Sequence, residues 1–202
     1  EAYLWADHPD ACVTAISHCQ WSRYPELKPA AVIHHAVDRS QFTFRPDPDD
    51  YVCFLGQFSD GKGPVQAIHA ARAAGVRLLL AGPINDYYRE HVEPLVDGRS
   101  VEYVGAVAGA DRDRLLGGAR ALVYPLQVKE PFGLVQVEAM MCGTPVAAIR
   151  LGAVPEVVDE GVTGCMAGGT GELPEALRRS FGLDRSVVRT HAEARFSPER
   201  MA

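Results

Sequence analysis

The chain has 202 residues, 47% of them hydrophobic and 8% aromatic, enough for one ordinary core and a fragment of a second. A net charge of −6 without a Lys/Arg stripe argues against a nucleic-acid or anionic-membrane surface, which needs clustered cations. Five cysteines form no C-x-x-C pair and no apolar run reaches the ~20 residues of a membrane span, so reduced thiols in the cytoplasm are expected, without disulfides, zinc or transmembrane segment.

Residues 1–45 are the least domain-like part. Residues 11–17 and 30–34 read as strands around a short segment carrying Trp21 and Tyr24. Two strands without a sheet leave unpaired edges. They are expected to pack against the larger domain beyond residue 45, to pair with a second copy, or to be poorly ordered. His34 and His35, adjacent on a strand, point to opposite faces and do not readily share a metal ion. The run Asp47-Pro-Asp-Asp50 looks like a metal-binding D-x-D, but its prolines make it a solvated turn.

From residue 51 strands and helices alternate regularly. Strands are predicted at 51–55, 76–81, 101–104 and 121–124, and helices at 64–74, about 86–96 and 111–119. His69, on the apolar face of the first helix, reads as packing. This alternation defines an α/β fold, a Rossmann-like parallel sheet with helices on both faces. Ligands of such sheets bind beyond the carboxyl ends of the strands. The loops at 56–63, 82–85, 105–109 and 125–135 fall on that edge.

Gly56-Gln-Phe-Ser-Asp-Gly-Lys-Gly63 fits G-x-x-x-x-G-K, most of a phosphate-binding P-loop between strand and helix. Gly63, however, stands where a P-loop needs Ser or Thr to hold magnesium, and no strand supplies the second Asp. Gly168-Gly-Thr-Gly171 follows the sheet and reads as a flexible connector into a helical run from Glu172.

The most informative stretch is 129–164. Pro131 and Gly133 punctuate a turn, a short helix opens at Leu134, and Gly143 and Pro145 stop it. Glu138 falls in its second turn among Leu134, Val137 and Met141, where a lone carboxylate is costly to desolvate without a donor. The opening amides of Gly133, Leu134 and Val135, with the helix dipole, favour an anion such as a phosphate. Glu138 could then accept from the vicinal hydroxyls of a ribose. The competing reading pairs it with a basic residue, the usual fate of a buried Glu.

The run E-P-F-G-L-V-Q-V-E from Glu130 to Glu138, with A-M-M-C-G-T-P-V at 139–146 and L-G-A-V-P-E-V-V at 151–158, resembles the signature of retaining glycosyltransferases of the group 1 family, family 4, which have the two-domain GT-B fold. The likeness extends over most of residues 32–200. It implies that residues 46–202 are the nucleotide-sugar (donor) binding domain, the C-terminal half of GT-B. Residues 1–45 would be a remnant of the acceptor domain and its linker, and 196–202 the start of a truncated crossover helix.

The resemblance implies catalytic roles for Glu130, near the transferred sugar, and Lys62, on the diphosphate. It places Glu138 on the ribose, and Gly133, Leu134, Val135, Gly56, Gln57 and Phe132 on the donor. Val104-Gly105-Ala-Val107 would meet the base, and Gly82-Pro83 would line the cleft. No metal or cofactor is expected, and the partners are a UDP-, GDP- or ADP-linked sugar, an unknown acceptor and the missing acceptor domain. The parent would move the sugar to an acceptor hydroxyl with retention, in the cytoplasm or peripherally on a membrane, and the fragment alone would not turn over.

Three positions depart from the family pattern. Gln57 replaces an Arg on the diphosphate, and Lys129 or Arg150 could compensate. Ala153 replaces a second Gly, and His34-His35 replace Pro-Asn. A catalytically inactive nucleotide-sugar binder and a P-loop NTPase stay open as alternatives. A Glu138 turned from the cleft and locked to an internal arginine would remove the ribose role.

Overall fold

The computed structural model describes residues 11–26 and 28–201. Six parallel strands form the main sheet: β3 (Val52–Leu55), β4 (Leu78–Ala81), β5 (Val101–Tyr103), β6 (Leu122–Tyr124), β7 (Val146–Ile149) and β8 (Gly164–Ala167). Their spatial order is β5-β4-β3-β6-β7-β8. The order reverses between β3 and β6, so the chain leaves a crevice at that point above the carboxyl ends of both strands.

Alternation along each strand divides the core between the two faces. Val52 and Phe54 of β3 pack with Ile68, Leu78 and Leu177 on one side, while Cys53 packs with Leu122, Met140 and Phe196 on the other. Both faces are covered by helices, as an all-parallel sheet requires. The covering helices are α2 (Pro64–Ala74), α3 (Gly109–Gly118), α4 (Leu134–Met141), α5 (Val154–Val157), α6 (Leu173–Ser180) and α7 (Arg185–Phe196). Helix α2 runs from a proline in its first turn to Gly75 in left-handed conformation, the usual asymmetry of helix ends.

Several expectations are corrected. Residues 86–96 are not a regular helix: Tyr88–Val92 is a π-helical turn, and Pro94 sits in the adjoining 3₁₀ turn Glu93–Leu95. His69 is exposed, not packed. Strands β7 and β8, unassigned from sequence, complete the sheet. Phe196 closes α7, and Pro198–Arg200 forms one 3₁₀ turn.

Before the sheet, β1 (Thr14–Ala15) pairs in parallel with β2 (Ala31–Val32), and α1 (His18–Trp21) lies between them. This segment packs on the larger fold. The sequence Ser17-His-Cys-Gln20 nearly forms a capping box: Ser17 Oγ accepts from Gln20 N at 2.8 Å, and Gln20 Oε1 accepts from Ile16 N instead of Ser17 N. His34 and His35 do not diverge on a strand, since both rings meet Phe132, at 5.7 and 5.2 Å between centroids.

Candidate functional site

A cleft of about 320 Å³ opens at the switch point, lined by the ends of β3 and β6 and the start of α4. Phe54, Leu55, Gly56 and Gln57 form one wall, and Gly133, Leu134 and Val135 the other. Lys62, Glu130 and Tyr124 complete it. The loops after β3 and β6 are joined by Gln127 N donating to Gly61 O at 2.9 Å. That bond brings Lys62, 68 residues away in sequence, onto the Glu130 carboxylate as an ion pair. Both side chains are partly exposed to the cleft, 30% for Lys62 and 23% for Glu130.

Two glycines set this geometry. Gly133 begins α4 at φ 86°, and a β-carbon there would run into Tyr124 Oη and lie 2.6 Å from Gln136 Nε2. Gly152, at φ 64°, lies against the backbone of Glu130, where a β-carbon would stand 2.6 Å from its N and 2.7 Å from its O. Ala153 N also donates to Glu130 O at 3.0 Å. The turn after β7 therefore packs closely against the Glu130 backbone.

Seven of the nine site residues expected from sequence line this cleft: Lys62, Glu130, Gly56, Gln57, Gly133, Leu134 and Val135. Phe132 does not. It is 2% exposed, packed among His34, His35 and Phe196, because a ring that size is most stable between three other rings. Nor does Glu138 line the cleft. Its Oε1 accepts from Arg112 Nη1 at 2.8 Å, so the basic partner weighed against a ribose role is present.

Arg112 is partly buried: its side chain is 29% exposed on α3 and stacked over the Phe42 ring at 5.2 Å, its Nε is buried without a partner among the described residues, and Glu138 is 14% exposed. Glu138 Oε2 has no partner among the described residues, and Leu134, which lines the cleft, lies one turn before it on the same helix face. Burial raises the Glu138 carboxyl above its ordinary value, and the Arg112 charge offsets part of that.

The compensating cations do not reach the cleft either. Arg150 pairs with Glu160 at 3.4 Å, and neither it nor Lys129 is among the lining residues. Tyr124, missed in the sequence, forms the floor. It is 4% exposed, its hydroxyl has no hydrogen-bond partner among the described residues, and burial followed by the Glu130 charge raises its pKa. Its place at the carboxyl end of a strand was the available signal. Asp47, Asp49 and Asp50 lie exposed outside helix and strand, and no three metal-ligating side chains converge among the described residues.

A parallel sheet with a switch-point cleft, a cation at its mouth and free helix amides at its wall defines a Rossmann-like α/β protein with an anion-binding crevice at the carboxyl edge of its sheet. Residues 38–179 match the family described as glycosyl transferases group 1, and the chain belongs to it. It is 32% identical over 169 residues to a D-inositol 3-phosphate glycosyltransferase of Mycobacteroides abscessus, covering 76% of this chain and 38% of that protein. The same enzyme of Mycolicibacterium smegmatis is 32% identical over 158 residues, covering 68% and 36%. The chain thus spans less than two fifths of these relatives' length.

Solved structures agree on the fold. AviGT4, a glycosyltransferase involved in avilamycin A biosynthesis, superposes with a TM-score of 0.80 at 31% identity, over 93% of this chain and 58% of that one. Anabaena Alr3699/HepE in complex with UDP and glucose gives a TM-score of 0.78 at 24% identity, over 93% and 60%. No helix among the described residues is long and apolar enough to cross a membrane.

Proposed function

We propose that this chain is the donor-binding part of a retaining group 1 glycosyltransferase, of family 4, that takes a nucleoside-diphosphate sugar. The observation that carries this reading is the convergence of Lys62, Glu130 and the Gly133–Val135 amides in one cleft at the sheet's switch point. In it, Lys62 and the amides neutralise the departing diphosphate, the preorganised electrostatic help that group transfer needs most. Glu130 leaves Lys62 to face the sugar and its developing positive charge. Glu138 receives the ribose on Oε2 while Arg112 holds Oε1. The sugar goes to an acceptor hydroxyl with its anomeric configuration kept.

The charge of the diphosphate is met by a lysine and amides, so binding proceeds without a divalent metal. The 202 residues bind the donor and leave transfer to the longer protein. Calorimetry with UDP, GDP, ADP and UDP-glucose, each with and without EDTA, tests the reading. Saturable, EDTA-insensitive binding of at least one nucleotide supports it. No saturable heat with any of them sinks it, and binding that requires magnesium favours the P-loop reading. Binding with no transfer by the full-length protein would instead identify an inactive nucleotide-sugar binder.

A further inference from the structure

The loop that carries Glu130 has three successive backbone carbonyls taken by side chains from one short segment. Arg23 Nη2 donates to Lys129 O, Cys19 Sγ to Glu130 O at 3.6 Å, and Ser17 Oγ to Pro131 O. The segment is itself tied down by Glu156 of α5, whose two carboxylate oxygens accept from His18 N at 2.7 Å and Cys19 N at 2.8 Å. An anion at a helix N-terminus is well placed electrostatically. Ser17 is fully buried at this contact. The Glu130 loop is thus held from both sides, by α1 on one and by Gly152 and Ala153 on the other.

We propose that Ser17, Cys19 and Arg23 are positioning residues for Glu130, gripping its loop by those three carbonyls so that the segment preceding the main sheet fixes where the carboxylate stands. The loop has no helix or sheet bonds of its own across Lys129–Pro131. Its orientation therefore depends on outside donors, and a rotation of these peptides would carry the Glu130 side chain off Lys62. The inference rests on the reading of Glu130 as the sugar-side group, and it deepens that reading by naming what aims the residue.

The test compares S17A and R23A with wild type and with S22A. Ser22 Oγ bonds only within the segment, to Cys19 O at 2.8 Å, and serves as the control. S17A also removes the N-cap of α1, so the exposed R23A carries an independent arm. In hydrogen–deuterium exchange, the amides of Gln127 and Ala153, which bond the loop through Gly61 O and Glu130 O, should open at least about tenfold faster in S17A and R23A and be unchanged in S22A. In calorimetry, UDP-glucose affinity should fall about three- to tenfold, the loss that one net hydrogen bond carries, while UDP affinity holds.

Unchanged loop exchange in both variants overturns the proposal. So does an equal loss of UDP and UDP-glucose, which marks the segment as a plain tether. If wild type binds neither ligand, the functional reading fails, and the positioning claim is then decided by loop exchange alone.

Discussion

Glu138 Oε1 and Arg112 Nη1 stand 2.8 Å apart, and they join α4 to α3 beside the cleft, across 26 residues of sequence. The pair leaves one carboxylate oxygen to do other work. If Oε2 holds a ribose, Glu138→Ala removes a charge-assisted bond worth about 1.5 to 3 kcal/mol, a loss in UDP affinity of at least about tenfold. Unchanged affinity, measured by calorimetry on a variant with native circular dichroism, would leave Glu138 as no more than the structural partner of Arg112.

The same carboxylate makes a pH prediction. Burial lifts its folded pKa above the ordinary 4.5, so the folded chain holds that proton more tightly than the unfolded one. The contribution of this group to stability is therefore most favourable below 4.5 and declines as pH rises through the folded value. Glu138→Gln cannot titrate. Its urea midpoint should match wild type most closely below 4.5, exceed it increasingly as pH rises through the folded value, and keep a constant excess above that. A midpoint difference that stays constant with pH would show that Glu138 titrates alike in both states.

Gln57 is exposed at the cleft wall, in the position where the family resemblance expects an arginine. Neither Lys129 nor Arg150 replaces the missing charge there, so Lys62 alone among the lining side chains supplies positive charge. Gln57→Arg should tighten UDP by about tenfold, one added charge-assisted contact to phosphate. No gain, or a loss, would mean that residue 57 does not face the diphosphate.

Much of this arrangement was legible in the sequence where local chemistry decides it. Helix α2 matches its expected residues because Pro64 and Gly75 punctuate its ends. Seven of the residues named from sequence line the cleft because they sit after strand ends or at the start of α4, where the sheet leaves its crevice. The failures share a cause, contacts across long sequence distances. Phe132 lies inside the motif yet is claimed by His34, His35 and Phe196. Arg112 gave no sign in Asp111-Arg-Asp-Arg that it would meet Glu138. Strands β7 and β8 read Val-Ala-Ala-Ile and Gly-Cys-Met-Ala, fully buried runs with no polar alternation to reveal a strand. The π-helical turn at Tyr88–Val92 keeps apolar residues four apart, as an α-helix would, and so conceals its wider hydrogen bonding.

Gly133 tests whether the cleft wall must be built as it is. Its φ of 86° is strained for any L side chain, and an added β-carbon would meet Tyr124 Oη and stand 2.6 Å from Gln136 Nε2. Tyr124 is 4% exposed and packed in the core, so the start of α4 has to shift. Gly133→Ala should cost about 1 to 3 kcal/mol in urea denaturation. Gly171, with open space around its β-position and no positive φ, is the matched control, and Gly171→Ala should stay within about 0.5 kcal/mol of wild type. Because the shift moves the amides of Leu134 and Val135, Gly133→Ala should also lose UDP affinity under conditions where it remains folded. A variant that is folded, destabilised as expected and undiminished in UDP binding would show that these amides do not carry the phosphate.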